Sequence, residues 1–253
     1  MSTANIIPMP PVELRRSVGL EGTEQFENPY GVLAFGDDVP AENYTSVLDF
    51  GCGCGRVARQ MLLQSHSVPA RYLGLDLYKP SIDWCQSNLK AAGFEFRHLN
   101  AYNIGLNPQG ERFAQIGGSE RFRLINAHSV FTHIIEPDIE FYFEQLASRL
   151  ERGGTLRTTW FMFEKSNFPM MQEFQNCIYI NPDDLTNATV YATEFVRELF
   201  SRHGLQITIA HRPGIRGHQW LLYATVGSGE HVAFEADMAP VGLARPPVSV
   251  HGG

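Results

Sequence analysis

Between Val47 and Arg56 the chain reads Val-Leu-Asp-Phe-Gly-Cys-Gly-Cys-Gly-Arg. An apolar run carries a carboxylate, Asp49, and leads into glycines at alternate positions, Gly51, Gly53 and Gly55, with Cys52 and Cys54 between them. Backbone without a Cβ lets a ligand come close to peptide groups, so the run points to a nucleoside-like ligand seated at a strand end. A dinucleotide fingerprint needs glycine or alanine where Arg56 stands, and Asp49 beside the turn would repel a pyrophosphate. A cationic ligand without phosphate suits Asp49. A second carboxylate, Asp76, closes the next apolar run, 27 residues after Asp49. Two imidazoles, His128 and His133, follow the run Phe122–Ala127; imidazole titrates in the range a general base requires.

Regular elements must hold these groups. Ser46–Phe50 reads as a strand, and Cys54–Ser65 as a helix with Val57, Met61 and Leu62 on one face. Tyr72–Leu77 is a strand, Pro80–Ala92 a helix begun by proline and stopped by Gly93, and Phe94–Leu99 a third strand. A polar connection, 103–121, precedes the strand Phe122–Ala127. Pro137–Leu150 is a helix with Ile139, Phe143 and Leu146 spaced to face a sheet, and Thr155–Phe161 the fifth strand. The helix Thr193–Arg202 and the strands Leu205–His211 and Gln219–Val226 complete the pattern. Strand–helix alternation with a terminal hairpin predicts an α/β fold: a doubly wound, mostly parallel seven-stranded sheet with a C-terminal antiparallel hairpin. Residues 1–44 are expected to form a wrapping or lid segment, 45–226 the domain, and 227–253 an irregular tail.

A net charge of −7 speaks against a broad nucleic-acid surface. No apolar run is long enough for a membrane span, and the start, Met-Ser-Thr-Ala-Asn, lacks the basic and apolar regions of a secretion signal. A cytoplasmic protein, monomer or homodimer, with reduced thiols is expected. Cys52 and Cys54 have no histidine pair at ligand spacing to complete a metal site, so none is expected.

Val47–Arg56 resembles motif I of the class I methyltransferases that use S-adenosylmethionine (SAM), and further matches follow in the family's order over roughly 46–226. The resemblance implies a Rossmann-like methyltransferase fold and SAM as cofactor. Asp76 in Tyr-Leu-Gly-Leu-Asp-Leu, with Leu77, falls where the family binds the ribose hydroxyls. Asn100, Ala101 and Tyr102 fall where it contacts adenine; an amide at Asn100 replaces the common acid and can still bond the adenine edge. Phe122–His133 resembles the fourth strand and the turn lining the methyl-transfer site, which adds Ala127, His128 and Ser129 to Asp49, Gly51, Cys52, Gly53, Gly55 and Arg56 as cofactor contacts. Glu151-Arg-Gly-Gly resembles the family's Lys-Pro-Gly-Gly, and Thr132 stands where many relatives carry glutamate. Ile82-Asp-Trp-Cys85, Phe94-Glu-Phe with Asn107-Pro-Gln-Gly110, and Ser129-Val-Phe-Thr-His133 resemble a bacterial subgroup acting on small molecules or glycans.

Methyl transfer from a sulfonium is an in-line displacement whose reactivity belongs to the cofactor. A hydroxyl acceptor also needs a base, and His133 and His128 are the candidates; each reads more readily as a structural residue. Asp138 reads as a first-turn helix acid. Trp160–Phe163 is either an acceptor wall or ordinary core, and Tyr30 and Phe35 are lid candidates. Arg212, Arg216 and His218 could meet an acidic acceptor or lie in a solvated turn. The expected activity is O-methylation of a small-molecule or sugar-containing acceptor. N-methylation, an NAD-dependent oxidoreductase and a non-catalytic SAM-binding protein are the alternatives.

Overall fold

A computed structural model describes residues 7–215 and 217–234 of the chain; the expectations for Arg216 and for the tail beyond residue 234 lie outside the described residues. The central strand β1 (Ser46–Phe50) is buried along almost its whole length, as a strand covered on both faces must be. Beside it run β2 (Arg71–Asp76) and then β3 (Phe94–His98), all parallel. On its other side lie β4 (Phe122–Ala127) and β5 (Leu150–Phe163), again parallel. The order β3-β2-β1-β4-β5 reverses at β1, which creates a crevice at the carboxyl ends of β1 and β4.

The remaining edge of β5 is shared. Leu156–Trp160 pair antiparallel with β9 (Trp220–Val226), itself hairpinned to β8 (Leu205–His211). Phe161–Phe163 pair parallel with β7 (Thr189–Ala192), which carries β6 (Cys177–Tyr179). Among the described residues the sheet therefore has the expected seven strands, terminal hairpin included, plus two short strands. β5 also begins earlier than its apolar run, because Gly153 at φ +77° and Gly154, packed close to the Arg123 carbonyl, carry the chain through a bulge.

Helices cover both faces. α4 (Glu136–Arg149) and α5 (Thr193–Arg202) bury Ile139, Phe143, Leu146, Val196, Leu199 and Phe200 against Leu48, Ile125, Leu156 and Trp160. α2 (Arg56–Leu62) and α3 (Lys79–Asn88) bury Val57, Met61, Ile82 and Cys85 against Val47, Tyr72 and Leu124. Before β1, a short helix α1 (Val12–Arg16) opens a segment that runs along α2. The buried Arg59 of α2 ties that segment down, donating to the carbonyls of Ile7, Pro8 and Phe26 and to Glu27. At the other end, Phe234 packs on Trp220 and under Arg197, so residues 227–234 lie against the core.

Among the described residues no helix is long and apolar enough to cross a membrane.

Candidate functional site

The turn after β1 is pinned to β2 by two bonds, from the Gly51 and Cys52 amides to the Leu75 carbonyl at 2.8 and 2.9 Å. Gly51 holds φ +79°, and a Cβ there would stand 2.2 Å from Val130 Cγ2 of the loop after β4. Gly53 holds φ +53°, and a Cβ there would stand 2.5 Å from Val18, just beyond α1. Gly55, also left-handed, is the N-cap of α2. The turn is thus closed in by the β4 loop on one side and the N-terminal segment on the other. Cys52 and Cys54 are buried beneath it, and burial raises both thiols, Cys54 to about 11. Among the described residues no three His, Cys, Asp or Glu side chains converge on a metal position.

Asp76 ends β2 behind this turn. Its oxygens accept the Gly53 and Tyr78 amides, each at 2.7 Å, and burial raises its carboxyl above the usual range. Each oxygen keeps a further lone pair for a ligand hydroxyl. The Leu77 carbonyl accepts from His98 at 3.0 Å. Beyond β3, the Asn107 amide bonds the Asn100 side chain and the Ala101 carbonyl, and the Tyr102 amide donates to the Glu111 carbonyl. These contacts fold 100–111 into a loop beside Asp76.

Register builds a second set of contacts across four strands. Asp49 stands opposite Asn126, Asn126 opposite Arg157, and Arg157 opposite Tyr223. They therefore share one sheet face. Asn126 Nδ2 donates to Asp49 at 2.6 Å, the Tyr72 hydroxyl donates to the other Asp49 oxygen, and Arg157 donates to Asn126 Oδ1 at 2.7 Å. Both Asp49 oxygens are thus engaged inside the sheet, and burial raises its carboxyl despite these bonds. Arg157 also reaches His128 Nδ1 at 3.3 Å, with its guanidinium 4.5 Å from the Phe35 ring centre and 5.9 Å from that of Tyr223. Burial, with Arg56 and Arg157 nearby, pushes His128 down to about 3. Arg56 itself bonds Gln25 of the N-terminal segment at 3.0 Å.

The two histidines are held in opposite tautomers. A guanidinium only donates, so Nδ1 of His128 is a lone pair and its proton sits on Nε2. His133 faces the carbonyl of Thr186 through Nδ1 at 3.0 Å. A carbonyl only accepts, so that nitrogen carries the proton and Nε2 is the free lone pair of the neutral ring. Thr186 belongs to the segment before β7, and its hydroxyl accepts the Ile104 amide at 3.2 Å. Between the histidines, Ser129 adopts φ +57°, a sparsely populated state for serine. Its amide donates to Thr159 at 2.7 Å and its hydroxyl accepts from Gln219 at 2.8 Å.

Other expected residues divide as follows. Asp138 pairs with Arg112 and supports α4. Trp160 is core, stacked on Phe131 with its indole N–H on Thr158, while Phe161–Phe163 are half-buried at the carboxyl end. Phe35 covers Arg157, whereas Tyr30 is 87% exposed. His218 lines a cavity of about 550 Å3 together with His128 and Arg157. A hollow of similar size between α3 and β3 lies away from the carboxyl ends. Sequence reading missed Tyr72, Asn126, Arg157 and Gln219; a lone arginine inside the apolar run Leu156–Phe161 was the available signal.

The donor set suits an uncharged nucleoside with a cationic extension. Two carboxylates, the buried Asp49 and the half-buried Asp76, lie behind the glycine turn where a pyrophosphate would meet repulsion. A family model described as "Methyltransferase domain" matches residues 48–156, from β1 into β5. Among solved structures, a chain of the Haloferax volcanii complex between the Trm112 methyltransferase activator and a methyltransferase is 16% identical. It covers 84% of this chain and 94% of that one, with a TM-score of 0.55, a likeness of fold. Magnesium protoporphyrin IX methyltransferase from Synechocystis PCC 6803 is 17% identical over 73% and 76% of the two chains, TM-score 0.49. The 1,6-didemethyltoxoflavin-N1-methyltransferase of Burkholderia thailandensis is 17% identical over 72% and 71%, TM-score 0.49. Over residues 48–156 the chain is thus similar to a methyltransferase domain, and the cofactor this match indicates is S-adenosylmethionine.

Proposed function

We propose that the protein methylates an oxygen of a small-molecule acceptor, with His133 as the base. The observation that carries this reading is the tautomer of His133: its Nδ1 proton is committed to the Thr186 carbonyl, which leaves Nε2 to take a proton. His128 is the weaker candidate, since a ring held at about 3 has little affinity for an acceptor's proton. It acts instead as a neutral donor through Nε2.

In this reading the Gly51–Arg56 turn and Ala127–Ser129 hold the amino-acid end of SAM, Asp76 and Leu77 the ribose, and Asn100–Tyr102 the adenine. Asp49 supports the turn from within the sheet. Bound there, the cofactor supplies a methyl group on a sulfonium. The chain's own work is to orient the acceptor, exclude water and receive its proton. Residues 45–226 form the working domain. The segment before it covers the turn through Val18 and Gln25 and covers Arg157 through Phe35.

A mass-shift screen of SAM and cell extract identifies the acceptor and the methylated atom. With that acceptor, His133→Ala should lower kcat at least 10²-fold and leave the dissociation constant of S-adenosylhomocysteine (SAH) within threefold. Normal turnover in the variant would refute the role. A product methylated on nitrogen would replace the oxygen reading.

A further inference from the structure

Beside β5 and the amino end of β9 the cavity of about 550 Å3 opens between His128, Arg157, Thr159, His218 and Gln219 and the turn 213–215. Its floor is cationic. Arg157 is 9% exposed and, among the described residues, forms no ion pair. Its partners are a neutral amide oxygen, a neutral imidazole, the Tyr223 hydroxyl and two aromatic faces. Two acids approach this network, each through an intermediary: Asp49 through Asn126 and Asp38 through the Tyr223 hydroxyl.

A charge buried this deeply without a directly paired counter-charge is expensive, and the polar groups around it are incompletely used. Arg157 Nε and Gln219 Oε1 are buried with no hydrogen-bond partner. The tautomer fixed by Arg157 leaves the Nε2–H of His128 as a donor. Cation, imidazole N–H and an unused amide oxygen together match a carboxylate with a hydroxyl beside it.

We infer that this cavity is the acceptor pocket and that it takes a small organic acid, whose carboxylate sits on Arg157 and His128 and which has, besides the oxygen that is methylated, a hydroxyl that donates to Gln219. The inference rests on the methyltransferase reading for the word acceptor, and on the cavity alone for the anion. It also gives His218 the role of meeting an acidic acceptor.

The test uses salicylate and its neutral counterpart salicylamide as probes. Both are titrated calorimetrically into the full-length protein, free and SAH-loaded, while the ring nitrogens of His128 are followed by NMR. Salicylate should bind at least tenfold more tightly than salicylamide and alone shift the His128 signals. Arg157→Gln should abolish that preference and keep the SAH dissociation constant within threefold. Indistinguishable probes, or a preference that survives in Arg157→Gln, would overturn the anion site. If the variant does not fold, the wild-type comparison and the His128 signals decide. Wild-type protein that prefers salicylate but does not bind SAH would overturn the methyltransferase reading and support the anion site. Should Arg157→Gln weaken SAM tenfold but not decarboxylated SAM, the anion is the cofactor's own carboxylate and the acceptor assignment is overturned.

Discussion

Replacing Gly51 by alanine perturbs the turn at the point where β1, β2 and the β4 loop meet. Two independent penalties can be read from the geometry. An L-residue held at φ +79° carries the left-handed penalty of about 1–2 kcal/mol. The new Cβ would also lie 2.2 Å from Val130 Cγ2, an overlap no pair of atoms tolerates. Val130 can escape only by turning a stiff χ1 or by moving its loop, so this overpacking adds about 1–3 kcal/mol. Gly51→Ala should therefore lose about 2–5 kcal/mol, the sum of the two terms. In a Val130→Ala background the overlap vanishes and only the backbone penalty of about 1–2 kcal/mol remains. A double-mutant cycle by urea unfolding, with unchanged m-values, measures the difference as a coupling of about 1–3 kcal/mol. An equal loss in both backgrounds, or a loss in Gly51→Ala below about 1 kcal/mol, would refute the packing argument.

Two predictions concern pH. His128 binds its proton at about 3 in the folded chain and near ~6.5 unfolded, so the unfolded state holds the extra proton between those values. Its stabilisation is complete above ~6.5 and is lost as the pH falls towards 3, by a few kcal/mol at most (~1.4 per unit). His128→Asn, which keeps an acceptor for Arg157, should flatten that acid limb in urea midpoints; an unchanged limb would contradict the buried neutral ring. Asp49 has the opposite sign, because its folded carboxyl is raised. Its contribution is present at low pH and declines as pH rises from the ordinary carboxylate range through the raised value. Asp49→Asn, able to bond both Tyr72 and Asn126, should remove that decline, and a steeper decline in the variant would refute the assignment.

The glycine turn, Asp76 and the order of the first five strands were legible because each lies in a run of its own period, Val47–Phe50 followed by Gly51–Gly55 being the clearest. β6 and β7 were not, since three and four residues are too short to show alternation. The polar chain was invisible for another reason. Asn126 and Arg157 are 31 residues apart and meet only because β4 and β5 pair in that register. The tautomers of His128 and His133 depend in turn on Arg157 and Thr186, which no local pattern connects to them. The cavity beside Arg157 is built from such long-range meetings, whereas the glycine turn is one continuous stretch.

The most direct test of the account is a calorimetric titration of the full-length chain with SAM and with NADH, repeated for Asp76→Ala. Micromolar SAM binding to the wild type, a dissociation constant at least tenfold weaker in Asp76→Ala and no heat from NADH are predicted. Tight NADH binding without response to SAM, or SAM affinity unaffected by Asp76→Ala, would contradict it.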